Sequence, residues 1–300
     1  MTGSGSIVTV GSFDGVHLGH RAVLEEIARR ARAAGRRSVL VTFSPHPLEV
    51  VNPAAAPPLL TVGDERLEIL AQTPVDRVLL LRFDAALAAM SPREFVEDVL
   101  LARCGMRELV IGHDHGFGRG RSGDAETLRT LGRELGFSVD VVGPVDAGGQ
   151  QVSSSRIRRA VAGGDLALAA RMLGRPYTLN GVVEAGEARG RLLGVPTINI
   201  GGIPSRKLLP PDGVYAVRVE WRGGAAGGMM NQGGRPTFGD ARRTLEAHLF
   251  GVAADLYGAA VRLAWVERIR DTRRFASPDE LQEQLGRDRI AAEAVLATHT

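Results

Sequence analysis

The stretch Gly11-Ser12-Phe13-Asp14-Gly15-Val16-His17-Leu18-Gly19-His20 brings together groups that can bind a polyphosphate. Its glycines let the backbone approach a ligand closely. A helix opening at its end offers unsatisfied N–H groups and a positive dipole end to an anion. His17 and His20, three apart, then lie on one side of that helix start. Two imidazoles there can donate hydrogen bonds to a phosphate whose charge grows in a transition state. The bland alternative is a tight turn with two surface histidines, and the strand–turn–helix context weighs against it. A second stretch, Gly186 to Asn199, is a glycine-rich loop carrying Arg189 and Arg191, followed by a proline-led strand. On its residues alone it is either a phosphate-binding loop working through main-chain N–H groups or an ordinary turn. Ser154, Ser155 and Arg158 sit at a helix start suited to gripping phosphates, and Arg158 on pattern alone is equally a solvated arginine.

The elements that must hold these residues follow from the hydrophobic pattern. In the first half, short apolar runs at Ile7–Val10, Arg37–Phe43, Val78–Leu81, Leu109–Ile111 and Ser138–Val142 alternate with helical patterns. The helices are expected over 19–34, 64–71, 92–102 and 126–135, with Ser91-Pro92-Arg93-Glu94 as a capping box. Buried strands separated by helices imply a parallel sheet covered on both faces. Two more helical stretches, 154–162 and 166–173, precede Arg175-Pro176. There the rhythm changes to strands and glycine turns, at 177–183, 213–220, 227–231, 244–250 and 260–269. That pattern predicts a small barrel, closed by a helix from Ser277 to about Ala297. Ala54–Pro58 and Gly223–Gly228 read as loops. The expected domains are residues 1–175 and 176–300.

Composition narrows the class. The chain has 300 residues, 44% hydrophobic and 24% charged, an ordinary mixture for packed domains. One cysteine, Cys104, excludes an internal disulfide framework and a cysteine-based zinc site, and fits a reducing, cytoplasmic setting. No signal-peptide pattern opens the sequence and no apolar stretch is long enough to span a membrane. A formal net charge of +3 with scattered arginines fits small phosphate-bearing ligands, and no nucleic-acid partner is expected.

The sequence as a whole resembles the bacterial bifunctional riboflavin kinase/FMN adenylyltransferases (FAD synthetases). Gly11 to His20 is similar to their G-x-F-D-G-x-H-x-G-H signature. Thr42-Phe43-Ser44-Pro45-His46-Pro47 resembles T-F-x-P-H-P, and Gly112 to Gly118 resembles G-x-D-F-x-F-G with His115 in place of an aromatic. Val152 to Arg158 resembles I-S-S-T-x-I-R, with Ser155 for threonine. In the second half Gly190 to Asn199 resembles G-R-x-L-G-x-P-T-x-N, and Gly213 to Ala216 matches G-V-Y-A. Asn231 to Thr237 resembles N-I-G-x-R-P-T with Gln232 out of pattern, Glu246 to Leu249 resembles E-x-H-L, and Asp255 to Gly258 matches D-L-Y-G. The family often has an acid and an aromatic where Gly251 to Ala254 stand here.

The resemblance implies a Rossmann-like nucleotidyltransferase domain followed by an antiparallel flavokinase β-barrel with a C-terminal helix. It implies phosphorylation of riboflavin to FMN and adenylylation of FMN to FAD, each with ATP, Mg²⁺ assisting, and apo-flavoproteins as clients. Gly11, Phe13, Asp14, Gly15, His17, His20, Ser154, Ser155 and Arg158 then handle the ATP phosphates of adenylyl transfer, with Asp114 and Phe117 near the flavin. Phe43 reads as core and His46 as rigidly held between prolines. In the kinase, Gly186, Gly190 and Arg191 lie along phosphates, and Thr197 and Asn199 hold magnesium. Asn231 lies near the flavin, and Glu246 is the general base for the riboflavin hydroxyl, with His248 as support or core. Competing readings keep only the adenylyl transfer, with a degraded kinase, or reduce the chain to a non-catalytic flavin-binding module.

Overall fold

A computed structural model describes residues 5–112, 123–185, 196–234, 243–252 and 255–298. The chain forms two units, Met1–Leu59 with Arg66–Ser154, and Leu60–Glu65 with Ser155–Thr300.

The first unit is built on five parallel strands, β1 (Ser6–Val10), β2 (Arg37–Ser44), β3 (Arg77–Arg82), β4 (Met106–Gly112) and β5 (Ser138–Val142), in the order β3-β2-β1-β4-β5. Side chains alternate along each strand, so both faces acquire a core. Ile7, Leu40 and Val110 pack with Val23, Leu24, Ile27 and Ala31 of helix α1 (Leu18–Ala33). Val8, Val10, Val39, Val41, Leu109 and Ile111 pack on the other face with Phe95, Val99, Leu100, Leu128 and Leu131. The strand order reverses between β1 and β4, and ligands of open α/β sheets bind beyond the strand carboxyl ends at such a switch point. The Gly11–His17 turn leaves β1 at that end.

Helix α1 stops where Gly35 turns left-handed (φ 62°). Arg36 N–H then bonds Ala31 O at 2.8 Å and Gly35 N–H bonds Arg32 O at 3.3 Å, a Schellman closure. The capping box at Ser91 forms as expected, with Glu94 N–H donating to Ser91 Oγ at 3.2 Å and Ser91 N–H donating to Glu94 Oε2 at 2.8 Å. The helix it opens is α-helical only over Pro92–Glu94 and continues with wider i→i+5 bonding through Phe95–Leu101.

The second unit contains a closed antiparallel barrel. Its strands are β6 (Tyr177–Glu184), β7 (Ile198–Gly201), β8 (Gly213–Trp221), β9 (Gly224–Gly234), β10 (Arg243–Leu249) and β11 (Ala260–Arg270), ordered β10-β7-β6-β11-β8-β9. The C-terminal helix, Pro278–Thr298, lays Ala292, Leu285, Val295 and Leu296 on Ala216 and Met229. Here a sequence expectation fails. Gly224 to Gly228 are strand, not loop, and the turn is confined to Arg222 and Gly223 (φ 105°). These glycines serve close approach: an added Cβ would fall 2.7 Å from the Leu296 side chain at Gly227 and 2.4 Å from the His248 carbonyl oxygen at Gly228.

Two buried polar clusters brace this unit. Lys207, fully buried, donates to Glu65 Oε1 (3.0 Å) and Oε2 (2.8 Å), Leu60 O (2.7 Å) and Thr178 O (2.5 Å). Thr178 Oγ1 and Val62 N–H supply further donors to the Glu65 carboxylate. Gln232, the residue out of family pattern, is also fully buried. It accepts from Trp265 Nε1 at 3.1 Å and donates to Pro210 O at 2.6 Å and Pro211 O at 3.1 Å. The departure supplies the acceptor that a buried indole N–H requires, while Pro211 O also accepts from the Tyr215 hydroxyl at 2.5 Å and Pro210 O from Arg243 Nη1 at 3.4 Å.

Two candidate catalytic sites

In the first unit, the turn after β1 departs from ordinary backbone geometry. Phe13 (φ 48°) and Val16 (φ 39°) are left-handed without being glycine, and Gly15 has φ 84°. For a β-branched valine this is a rare and costly conformation. Phe13, Asp14 and Val16 are buried, so the turn is packed into place. Gly11 must lack a side chain, because a Cβ would fall 2.9 Å from the Phe13 ring.

His17 caps α1, its Nδ1 accepting from His20 N–H at 3.2 Å. A neutral His17 therefore carries its proton on Nε2. The two imidazoles stack at 3.6 Å between centroids and 13° between planes, and His20 lies 4.6 Å from the Phe13 ring. The first turn of α1 contains no acidic residue, so nothing on the helix offsets its positive end. Ser154 Oγ donates to Asp14 O at 2.9 Å, bracing the turn. Ser155, exposed, and Arg158, half-buried, lie on the helix Ser154–Ala162, which falls in the second unit from Ser155 onward. Phe43 is core, against Phe83 and Phe95. His46 caps the short helix Pro47–Val51, accepting from Leu48 N–H at 3.2 Å. Asp114 and Phe117 lie outside the described residues.

In the barrel, strand register assembles the second site. Glu246 pairs with Asn199 on one side and Asn231 on the other, and Asn199 pairs in turn with Glu184. Directly paired residues point to the same face, with neighbouring Cβ atoms roughly 4.5–5.5 Å apart. Glu184, Asn199, Glu246 and Asn231 thus form one row across four adjacent strands. The alternate residues Val183, Ile200, Leu245 and Ala247 are buried. His248 shares the face of Glu246 and its Nδ1 lies 2.7 Å from Pro196 O. The carbonyl can only accept, so that nitrogen carries the proton, and the imidazole fixes the segment leading to Thr197 and Asn199.

Among the described residues no group of three His, Cys, Asp or Glu is placed to hold a metal. The hydroxyl of Thr197 and the amide oxygen of Asn199 are nonetheless hard donors suited to Mg²⁺ shared with phosphate oxygens. Gly186, Gly190 and Arg191 lie outside the described residues, as do Ala253 and Ala254.

Sequence reasoning passed over two residues. Glu184 stands beside Asn199 and its carboxylate lies over Gly201, where a Cβ would collide with it. The alternation of β6 gives its face but not its neighbour. Arg66 reaches the main chain of the phosphate turn from the helix Asp64–Ala71, a contact that no local pattern announces.

A parallel-sheet unit with an imidazole-bearing helix start, and a barrel with a carboxylate between two amides, give the chain two candidate sites. The comparisons name it further. The FAD synthetase family matches residues 2–156 and the riboflavin kinase family matches residues 173–296. The chain belongs to the bifunctional riboflavin kinase/FMN adenylyltransferase family. It is 40% identical to the member from Escherichia coli (strain K12), covering 96% of this chain and 92% of that one. It is 38% identical to the Pseudomonas fluorescens member (98% and 94% covered) and 33% identical to the Bacillus subtilis member (96% and 91%). A crystal structure titled as a macrolide-efflux protein from Streptococcus pneumoniae superposes with a TM-score of 0.85 at 32% identity, covering 96% of this chain and 93% of that one. Among the described residues, no helix of this chain is long and apolar enough to cross a membrane.

Proposed function

We infer that this chain phosphorylates riboflavin to FMN in its barrel and adenylylates FMN to FAD at its parallel sheet, with the functional division near Arg175-Pro176. One observation carries the assignment of sites. The barrel row sets a carboxylate, Glu246, between two amides, whereas the first turn of α1 offers imidazoles, and the acid of the preceding turn, Asp14, is buried and near the Arg66 charge. Riboflavin presents a neutral hydroxyl that must lose a proton, and FMN presents a phosphate already ionised. Only the first needs a base.

In the kinase step Glu246 takes the 5′-hydroxyl proton as that oxygen attacks the γ-phosphorus of ATP, and ADP leaves. Thr197 and Asn199 would hold Mg²⁺, which would offset phosphate charge, while Gly186, Gly190 and Arg191 follow the phosphates and Asn231 the flavin. In the adenylyl step an FMN phosphate oxygen attacks the α-phosphorus and pyrophosphate leaves. Gly11, Phe13, Asp14 and Gly15 shape the turn. His17, His20 and Ser155 donate hydrogen bonds to the triphosphate and Arg158 offsets its charge, while Ser154 braces the turn through the Asp14 carbonyl, with Asp114 and Phe117 at the flavin. Catalysis there rests on positioning and charge. The FAD formed passes to apo-flavoproteins in the cytoplasm.

A product assay with riboflavin, ATP and Mg²⁺ tests this reading: FAD forms through transient FMN. Asn199→Ala raises the Mg²⁺ needed for FMN formation and leaves FAD formation from supplied FMN unchanged. Equal responses in the two assays remove Asn199 from the metal site. FAD formation by residues 1–175 with supplied FMN checks the division, and an inactive, unfolded fragment argues against it.

A further inference from the structure

Arg66 is the first residue of the first unit after the segment 60–65 and has no part in any motif. Its guanidinium is forked between two of them. Nη1 donates to Ser12 O at 2.8 Å, in the phosphate turn, and Nη2 donates to Phe43 O at 2.7 Å, in the Thr42–Pro47 segment. Thr42 Oγ1 donates to the same Ser12 carbonyl at 3.2 Å. Arg66 is half-buried, and removal from water disfavours its charge and pulls its pKa down, while nearby Asp14, itself buried, attracts it. A cation desolvated in this way is costly unless hydrogen-bonded, and the two carbonyls supply those bonds.

The consequence runs through the peptide bond. The Ser12–Phe13 peptide is planar and trans, so its C=O and N–H point in opposite directions. With the Ser12 carbonyl drawn toward Arg66 and Thr42, the Phe13 N–H is turned away from them. Phe13 then adopts its left-handed φ of 48°, which a non-glycine residue holds only under constraint. We propose that Arg66 is a positioning residue for adenylyl transfer: by holding the Ser12 carbonyl it aims the Phe13 N–H at the ATP phosphates. It touches no substrate and acts through the main chain. The inference rests on the reading of this turn as the adenylyl-transfer site.

The test uses the full chain with Arg66→Met, Arg66→Lys and, in parallel, His20→Ala. Steady-state FAD formation from supplied FMN gives kcat and KM for ATP and for FMN, riboflavin phosphorylation serves as the internal control, and melting reports folding. Arg66→Met is expected to lower kcat/KM for ATP by about 10- to 100-fold, the range for losing a charge-assisted hydrogen bond. KM for FMN and the kinase rate stay at parent values. Arg66→Lys keeps the charge and reaches one carbonyl, so it melts as the parent does but remains about 10-fold impaired with ATP. Parent kinetics in Arg66→Lys overturn the proposal, as does a loss in Arg66→Met shared equally by FMN affinity and kinase rate. If His20→Ala loses FAD formation while the Arg66 variants do not, the positioning role fails and the site stands. If none of the three loses it, the reading of the site fails as well.

Discussion

The two sites reach their geometry by opposite means. At the end of β1 the functional groups are contiguous in sequence, and two non-glycine residues, Phe13 and Val16, are bent into left-handed conformations to present them. In the barrel, Asn199, Asn231 and Glu246 come from three separate strands, and ladder register alone aligns them. Among the described residues, no non-glycine residue of the barrel has a positive φ. Under the proposed assignment of sites, the difference follows from the demand of each reaction. An ionised nucleophile needs donors and positive charge, which a helix start and imidazoles provide at close quarters. A neutral hydroxyl needs a carboxylate, which a strand can carry without distortion provided its register holds. A slip of one residue would send Glu246 to the barrel interior.

The contrast breaks most sharply at the histidines. His17→Ala or His20→Ala is expected to slow FAD formation by about 10²–10³-fold, the typical loss of a transition-state hydrogen-bond donor. FMN then accumulates at the parent rate when riboflavin is supplied. An unchanged FAD rate in either variant removes that histidine from the chemistry.

Glu246→Gln is the mirror experiment. It keeps size and hydrogen bonding but cannot accept the proton, so FMN formation should fall roughly 10²-fold. FAD formation from supplied FMN stays unchanged. Parallel loss in both assays with a lower melting temperature would indicate misfolding, and full kinase activity would end the assignment of Glu246 as base.

A smaller effect sharpens the role of register. Gln232→Ile installs the residue usual in the family at this position but takes the amide oxygen away from the buried Trp265 Nε1, while the Pro211 and Pro210 carbonyls keep the Tyr215 hydroxyl and Arg243 as donors. Unsatisfied buried groups cost about 1–3 kcal/mol, so the melting temperature falls. The row on the opposite face keeps its pairing, and the kinase rate at 25 °C is preserved. A variant as stable as the parent would show that water replaces the glutamine.

The same contrast explains what the sequence allowed to be read. The parallel sheet and its helices were legible because buried runs and amphipathic stretches alternate with clear stops such as Gly35. The Gly11–His20 turn was legible because its residues are adjacent. Alternation could put Glu246 and His248 on one face, but placing Asn199 and Asn231 beside Glu246 needs register, which no single strand encodes. Arg66 escaped notice because a helix surface position says nothing about which carbonyls lie above it. Gly224–Gly228 misled because glycine signals a turn far more often than the near contact of Leu296 and His248 that it serves here.

The ion pair of Lys207 and Glu65 has a consequence in time. The carboxylate belongs to a segment synthesised 142 residues before the ammonium it meets. At the usual pace of translation, about 5–20 residues per second, it waits roughly 7–28 s for its partner to emerge. Until then Glu65 must remain hydrated, and residues 60–65 cannot take their place beside a barrel that does not yet exist. Barrel assembly therefore recruits a stretch of chain that left the ribosome long before, and a gene begun after residue 65 would leave Lys207 with the Thr178 carbonyl and the Tyr177 ring but without its carboxylate.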